Sequence, residues 1–361
     1  THVSTAPDAG SMTTATIGTL STLRAEFTGT AGYLAACTVG LPTAGTRRAV
    51  SADVAARPDV AAYSLAVEAS RAHFARLVGV TADRVAIGSQ TSVQVSILAA
   101  ALPRGARVLV PEDEFSSLVL PFVHAGRDLQ VQSVPLCSLA DAITAGVDLV
   151  AFSLVQSGSG EVADLDAIVA AADRVGARTV CDATQAVGWM PVDASRVDAL
   201  LCHAYKWLCC PRGVAFLALR EEYARTLAPL HAGWYAGDDP WSSCYGGGAD
   251  LAGCARRFDV SPAWQAFVGA EPALRAFADA DMHEVHAHAT GLAARLRERL
   301  GLPEPERASA IVTWPDASGD DLAQLAAAGI VASGRNGCTR VAFHVFNDDA
   351  DVDLAARALG R

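Results

Sequence analysis

The 361-residue chain is 51% hydrophobic and 19% charged, with a formal net charge of −11. This composition describes a globular chain able to bury a sizeable core, and it excludes intrinsic disorder. The acidic balance argues against nucleic acid as a partner, and no apolar run reaches the roughly 18 residues that a membrane span needs.

Residues 1 to about 14, rich in Thr, Ser, Ala and Gly, read as a tail, and residues 15–49 as a segment that joins a smaller domain. From residue 50 helix and short apolar strand alternate. Ala52 to Leu77 reads as helical, Arg84 to Ile87 as a strand and Ser92 to Leu102 as helical. Strands are then predicted at Val108–Val110, Leu129–Val134, Leu149–Leu154, Thr179–Cys181, Ala199–Cys202 and Val214–Leu219, with a helix over Leu165–Ala172. This alternation predicts an α/β fold with a mostly parallel seven-stranded sheet in a large domain over residues 50–260. Gly233 to Gly248 reads as a long loop. Residues 261–361 read as a small α/β C-terminal domain. Its predicted elements are a helical stretch from Pro262 to Leu300, strands at Ala310–Trp314, Ile330–Ala332 and Arg340–Phe346, and a last helix from about Ala350 to Ala358. No basic, apolar leader opens the sequence, so a cytoplasmic location is expected.

Of the 28 basic residues 27 are Arg, and the one lysine is Lys206. Codon usage in a GC-rich genome explains the scarcity without choosing which lysine stays. Arg replaces Lys as a surface charge, but its guanidinium stays protonated, whereas a desolvated lysine amine can attack a carbonyl. The nine cysteines contain no C-x-x-C pair and read mainly as buried thiols. Cys338 is read as structural. His283, His286 and His288 do not share one helix face, so they read as a solvated face and not as a metal site. No metal is expected.

Lys206 stands in His203-Ala204-Tyr205-Lys206-Trp207-Leu208, directly after the strand at 199–202. Asp182 ends the preceding strand, in Asp182-Ala183-Thr184-Gln185-Ala186-Val187-Gly188. A buried terminal Asp calls for a cationic partner. An Asp and a Lys at neighbouring strand ends are what pyridoxal 5′-phosphate (PLP) requires: one keeps the ring nitrogen protonated and the other carries the aldehyde. A competing pattern is Gly158-Ser159-Gly160-Glu161-Val162-Ala163, which matches a G-x-G-x-x-A dinucleotide fingerprint. It leaves Lys206 unexplained and takes second place.

As an ordered set, D-x-x-Q-A-V-G, H-x-Y-K-W-L and P-R-G-V-A-F-L resemble the class V aminotransferase and cysteine-desulfurase-like group of fold-type I PLP enzymes. Ile87 to Gln94, Glu114-Phe115, Phe258 to Pro262 and Arg340 to Asn347 extend the resemblance to most of the chain. It implies an aspartate-aminotransferase-like fold, PLP as cofactor and a homodimer. By the same resemblance, Lys206 carries the cofactor and shuttles the Cα proton. Asp182 pairs with the ring nitrogen, Gln185 bonds the ring hydroxyl and Phe115 stacks on the ring. Ser89, Gln90, His203 and Tyr205 bind phosphate, with Ser261 arriving from the partner chain. Gln156-Ser157 stands where relatives place Asn above the ring, so Ser157 joins the cofactor set. Arg340 grips the substrate carboxylate.

The stretches His231 to Gly237 and Ala255 to Trp264 resemble the C–S lyase of ergothioneine biosynthesis and the PLP enzymes that process S-glycosylated cysteine in lincosamide pathways. This implies a small-molecule substrate, an S-substituted cysteine or its sulfoxide, cleaved at Cβ–S by β-elimination, with Trp234 and Tyr235 near the sulfur substituent. The alternatives are decarboxylation-coupled oxidative deamination of an S-glycosylated cysteine, a class V aminotransferase or cysteine desulfurase reaction, and a PLP-fold binding protein without turnover.

Overall fold

The computed structural model describes residues 19–361. The tail expected over residues 1–14 lies outside them. Seven strands form the large sheet: β1 (Val85–Gly88), β2 (Arg107–Pro111), β3 (Gln130–Val134), β4 (Leu149–Ser153), β5 (Arg178–Asp182), β6 (Ala199–His203) and β7 (Ala215–Leu219). Their order is β1-β7-β6-β5-β4-β2-β3. The run from β3 to β6 is parallel, and β7 is antiparallel to both β6 and β1. This is the expected mostly parallel sheet of a fold-type I PLP enzyme.

The apolar runs that mark these strands are continuous because the sheet is covered on both faces. Ile87, Val150, Phe152, Leu200 and Phe216 enter one core, while Ala86, Leu149, Ala151, Leu201 and Leu217 enter the other. A second sheet of order β8-β10-β9 is formed by β8 (Ile311–Pro315), β9 (Ser333–Arg335) and β10 (Cys338–Ala342). Its own core includes Val312, Trp314, Val341 and Phe343. The segment before residue 44 runs along this sheet: Leu34 N–H donates to Val331 O, and Ala342 N–H donates to Leu34 O. No helix of the described residues is long and apolar enough to cross a membrane.

Several sequence expectations are corrected. The helix expected from Ala52 to Leu77 is two helices, Ala44–Ala55 and Val60–Leu77. Pro58 between them has no N–H to continue the ladder, and Asp59 caps the second helix through Ala61 N–H and Ala62 N–H. The stretch from Pro262 to Leu300 is likewise Trp264–Asp279 and Met282–Leu300, the second capped by Asp281. Phe267, Ala270, Ala273 and Leu274 of the first bury in the large core. The strand expected at Ile330–Ala332 forms three residues later, at Ser333–Arg335.

Candidate active site

β5 and β6 are parallel neighbours, so Asp182 and the turn after His203 emerge at the same carboxyl edge of the sheet. The lysine turn is tightly tied. Ala204 N–H donates to Val214 O, Cys209 N–H to Lys206 O and Cys210 N–H to Ala204 O. Thr184 Oγ1 accepts from His203 N–H at 3.0 Å, joining the two strand ends. Gly188 explains the last position of its motif: a Cβ there would stand 2.6 Å from Trp207 O, and its φ is +113°. Gly40 is needed for the same reason, because a Cβ would collide with the Lys206 carbonyl.

Lys206 is 6% exposed. Burial lowers its amine to about 8 and outweighs the opposing pull of Asp182. Asp182 is 5% exposed. Burial raises its carboxyl, although Thr184 and Lys206 favour the charged form. Its Oδ1 accepts from Thr184 N–H at 2.8 Å, and no cation of the described residues lies within ion-pair distance. Gln185 is fixed at both ends of its amide: Nε2 donates to Cys37 O and Ser157 Oγ, each at 3.0 Å, and Oε1 accepts from Trp207 Nε1 at 2.7 Å.

The pocket above these groups is lined by Gln90, Thr91, Ser92, Phe115, Ser117, Ser153, Ser157, Asp182, Thr184, Gln185, His203, Tyr205, Lys206 and Arg212. Phe115 forms its lid side, 44% exposed, with the Lys206 Nζ 5.3 Å from its ring centroid. Glu114 holds that ring in place. Its carboxylate accepts from Phe115 N–H, Ser153 N–H, Ser153 Oγ and Gln156 Nε2, all at 2.6–2.9 Å. One corner gathers anion-binding groups: the N-terminus of helix Thr91–Ala101, which has no capping side chain, with His203, Tyr205 and Arg212. The Arg212 guanidinium lies 4.9 Å from the Tyr205 ring centroid. Burial, with Arg212 and Lys206 adding to it, pushes His203 down to about 4, so its imidazole is neutral.

The structure thus brings together Lys206, Asp182, Gln185, Phe115, Ser157, Gln90, His203 and Tyr205. Ser89 lies beside the pocket; Thr91 and Ser92 line it instead. Ser261 is exposed and lies outside its own chain's pocket. It does not cap the following helix, whose N-cap is Ala263. Arg340 is 1% exposed and donates to neutral acceptors only: Ser333 Oγ, Thr38 Oγ1, Ser157 O and Ser157 Oγ. Tyr235 is 3% exposed, with its hydroxyl 3.4 Å from Glu68 Oε1, and lies outside the pocket lining. Trp234 packs on Tyr235 and Trp241, outside the pocket lining.

Sequence reasoning missed Arg212, Thr184 and the latching role of Glu114. The P-R-G spacing after Lys206 was the available signal for Arg212. The glycines of the dinucleotide-like pattern serve packing: Gly160 has a φ of +78°, and its Cβ would meet Ile311 of β8 at 2.8 Å. The helix begins only at Leu165, capped by Asp164. His286 stacks on Trp189 and His288 bonds Asn347 O, so neither is merely solvated.

The fit to PLP can be tested on two groups. His203 Nε2 is buried without a hydrogen-bond partner and faces the anion corner, where a phosphate oxygen would satisfy it. Asp182 is a buried carboxylate awaiting a cation, as a protonated pyridine nitrogen would be. Both fit. The fold and this pocket define a fold-type I PLP enzyme.

The chain belongs to the aminotransferase class-V family, whose model matches residues 56–310. PLP is the cofactor of this site. The chain is 34% identical over 190 residues to a probable cysteine desulfurase of Aeropyrum pernix, covering 46% of each chain. It is 29% identical over 287 residues to kynureninase of Deinococcus radiodurans, covering 73% of this chain and 70% of the relative. An uncharacterized aminotransferase of Bacillus subtilis matches at 29% identity over 57% of each. The alignments with the Aeropyrum and Bacillus proteins thus span about half of those relatives' length. Among solved structures, the cysteine desulfurase CsdA of Escherichia coli superposes with a TM-score of 0.82 at 19% identity, covering 95% of this chain and 98% of that one. A cystine C–S lyase in complex with its product, cysteine persulfide, superposes with a TM-score of 0.80 at 19% identity, covering 91% and 97%. These likenesses concern the fold.

Proposed function

We propose that the protein is a PLP-dependent carbon–sulfur lyase acting on S-substituted cysteine. In balance, RS–CH2–CH(NH3+)–COO− and water give RSH, pyruvate and ammonium; a sulfoxide gives the sulfenic acid in place of the thiol. Bound PLP supplies the electron sink for charge developed at Cα. Lys206, whose amine burial lowers to about 8, would hold the cofactor and, once released from it, take the Cα proton, with the neutral fraction rising up to that pH. Asp182 would hold the ring nitrogen, Phe115 the ring face, and Gln185 and Ser157 the hydroxyl side. His203, Tyr205, Gln90 and Ser89 would hold the phosphate, and Arg340 the α-carboxylate.

The observation that carries lyase over desulfurase chemistry is the turn Asn336-Gly337, which joins β9 directly to β10. A sulfur-accepting cysteine needs a loop that reaches the pocket. Here Cys338 is paired in the sheet with Arg335 and Pro315, and no cysteine among the described residues lines the pocket, buried Cys37 lying behind it. We also propose a homodimer. Exposed Ser261 has no role in its own pocket, and Leu65, Trp241 and Tyr245 stand 72%, 56% and 94% exposed. The test is incubation with S-alkyl cysteine conjugates. Equimolar thiol and pyruvate support the reading, a keto acid that retains the sulfur substituent would show transamination, and no product with intact cofactor absorbance would show a binding protein.

A further inference from the structure

The small sheet carries a second arginine that the proposed chemistry does not use. β9 and β10 pair with Ser333 opposite Arg340 and Arg335 opposite Cys338. Facing residues share a sheet face, and so do alternate residues of one strand. Arg335 therefore stands on the same face as Arg340, as its diagonal neighbour, about 7 Å away by strand geometry. The register is fixed by the tight turn, where Asn336 and Gly337 take φ of 49° and 72°. The turn closes on the pocket rim: Asn336 Nδ2 lies 3.7 Å from where a Cβ of Gly158 would stand, next to pocket-lining Ser157.

Two like charges side by side on one face repel unless an anion joins them. None of the described residues supplies it. Arg335 makes no ion pair, and its one side-chain bond is Nη1 to Gly334 O at 2.6 Å. Arg340 meets neutral acceptors only. Arg24, Arg76, Arg295 and Arg299 each meet a carboxylate, whereas exposed Arg57, Arg174 and Arg357, like Arg335, meet none among the described residues; what sets Arg335 apart is its place beside Arg340. The positive charge of Arg335 also reaches Lys206 and Tyr205. A PLP phosphate would occupy the opposite corner, with Arg212, and a substrate α-carboxylate would occupy Arg340. One cation is left over at the mouth.

We infer that Arg335 is a specificity-determining residue that receives a second anionic group, borne on the sulfur substituent of the substrate. The preferred substrates are then S-substituted cysteines ending in an acid. This rests on the substrate class proposed above. The test uses the purified holoenzyme with two near-isosteric ligands, S-(2-carboxyethyl)cysteine and its amide, S-(2-carbamoylethyl)cysteine. Affinity is read from the change in cofactor absorbance, and pyruvate is read separately. A charge-assisted bond predicts about tenfold tighter binding of the acid. In Arg335→Gln the affinity ratio falls to within about twofold of one, and Arg335→Lys restores part of it. Equal wild-type affinities, no binding of either ligand, or an unchanged ratio in Arg335→Gln would overturn the inference. The two readings fail separately. A binding preference without pyruvate rejects the elimination but keeps the anion site. Pyruvate from both ligands without preference does the reverse.

Discussion

The two ends of the pocket are built differently. At the large-sheet end, Lys206, Asp182 and Gln185 are buried, and the backbone around them leaves no room for a side chain at Gly40 or Gly188. At the small-sheet end, Arg335 is exposed and the hairpin touches the rim through Asn336. The first end fixes one cofactor in one pose, so few residue choices are possible there. The second meets the variable part of a substrate and can change without disturbing the fold.

Lys206→Ala separates the ends most sharply. It removes the proton carrier and should lower turnover by about 10³-fold or more, measured as pyruvate release, while circular dichroism stays native. Next is a pH effect on the apoprotein. The amine must be neutral to attack an aldehyde, and its value of about 8 makes the neutral fraction rise with pH until then. Cofactor reconstitution, followed by absorbance, should therefore quicken close to tenfold between pH 6 and 7 and level off above about pH 9. A rise continuing past pH 10 would mean an unshifted lysine. Gly188→Ala forces a side chain into a positive φ against the Trp207 carbonyl and should cost about 2 kcal/mol, seen as a lowered melting temperature with loss of bound cofactor. The smallest effect is at the lid. Phe115→Ala should weaken cofactor binding by about 1 kcal/mol, read by equilibrium titration, with Phe115→Tyr close to wild type. Because Phe115 is 44% exposed, the apoprotein's melting temperature should barely move.

The same contrast governs what was legible in the sequence. β4 to β7 announce themselves because a sheet covered on both faces needs unbroken apolar runs, and the Asp182 and Lys206 motifs are dense because close packing demands them. The helix breaks at Pro58 and at Ala280-Asp281 were lost inside long apolar periodicity, although Asp59 and Asp281 are ordinary caps. β9 was misplaced because Ile330 and Val331 are apolar. Ile330 instead wedges into the small core, and Val331 bridges Tyr33. Arg212 had the P-R-G spacing after Lys206 as its signal, whereas Arg335 carried none of its own among 27 arginines, since only the folded hairpin sets it beside Arg340.

The most direct test of the account is to incubate the holoenzyme and Lys206→Ala side by side with an S-substituted cysteine, measuring thiol and pyruvate. The account predicts equal amounts of both from the native enzyme and neither from the variant. Turnover retained without Lys206, or a keto acid that still holds its sulfur, would contradict it.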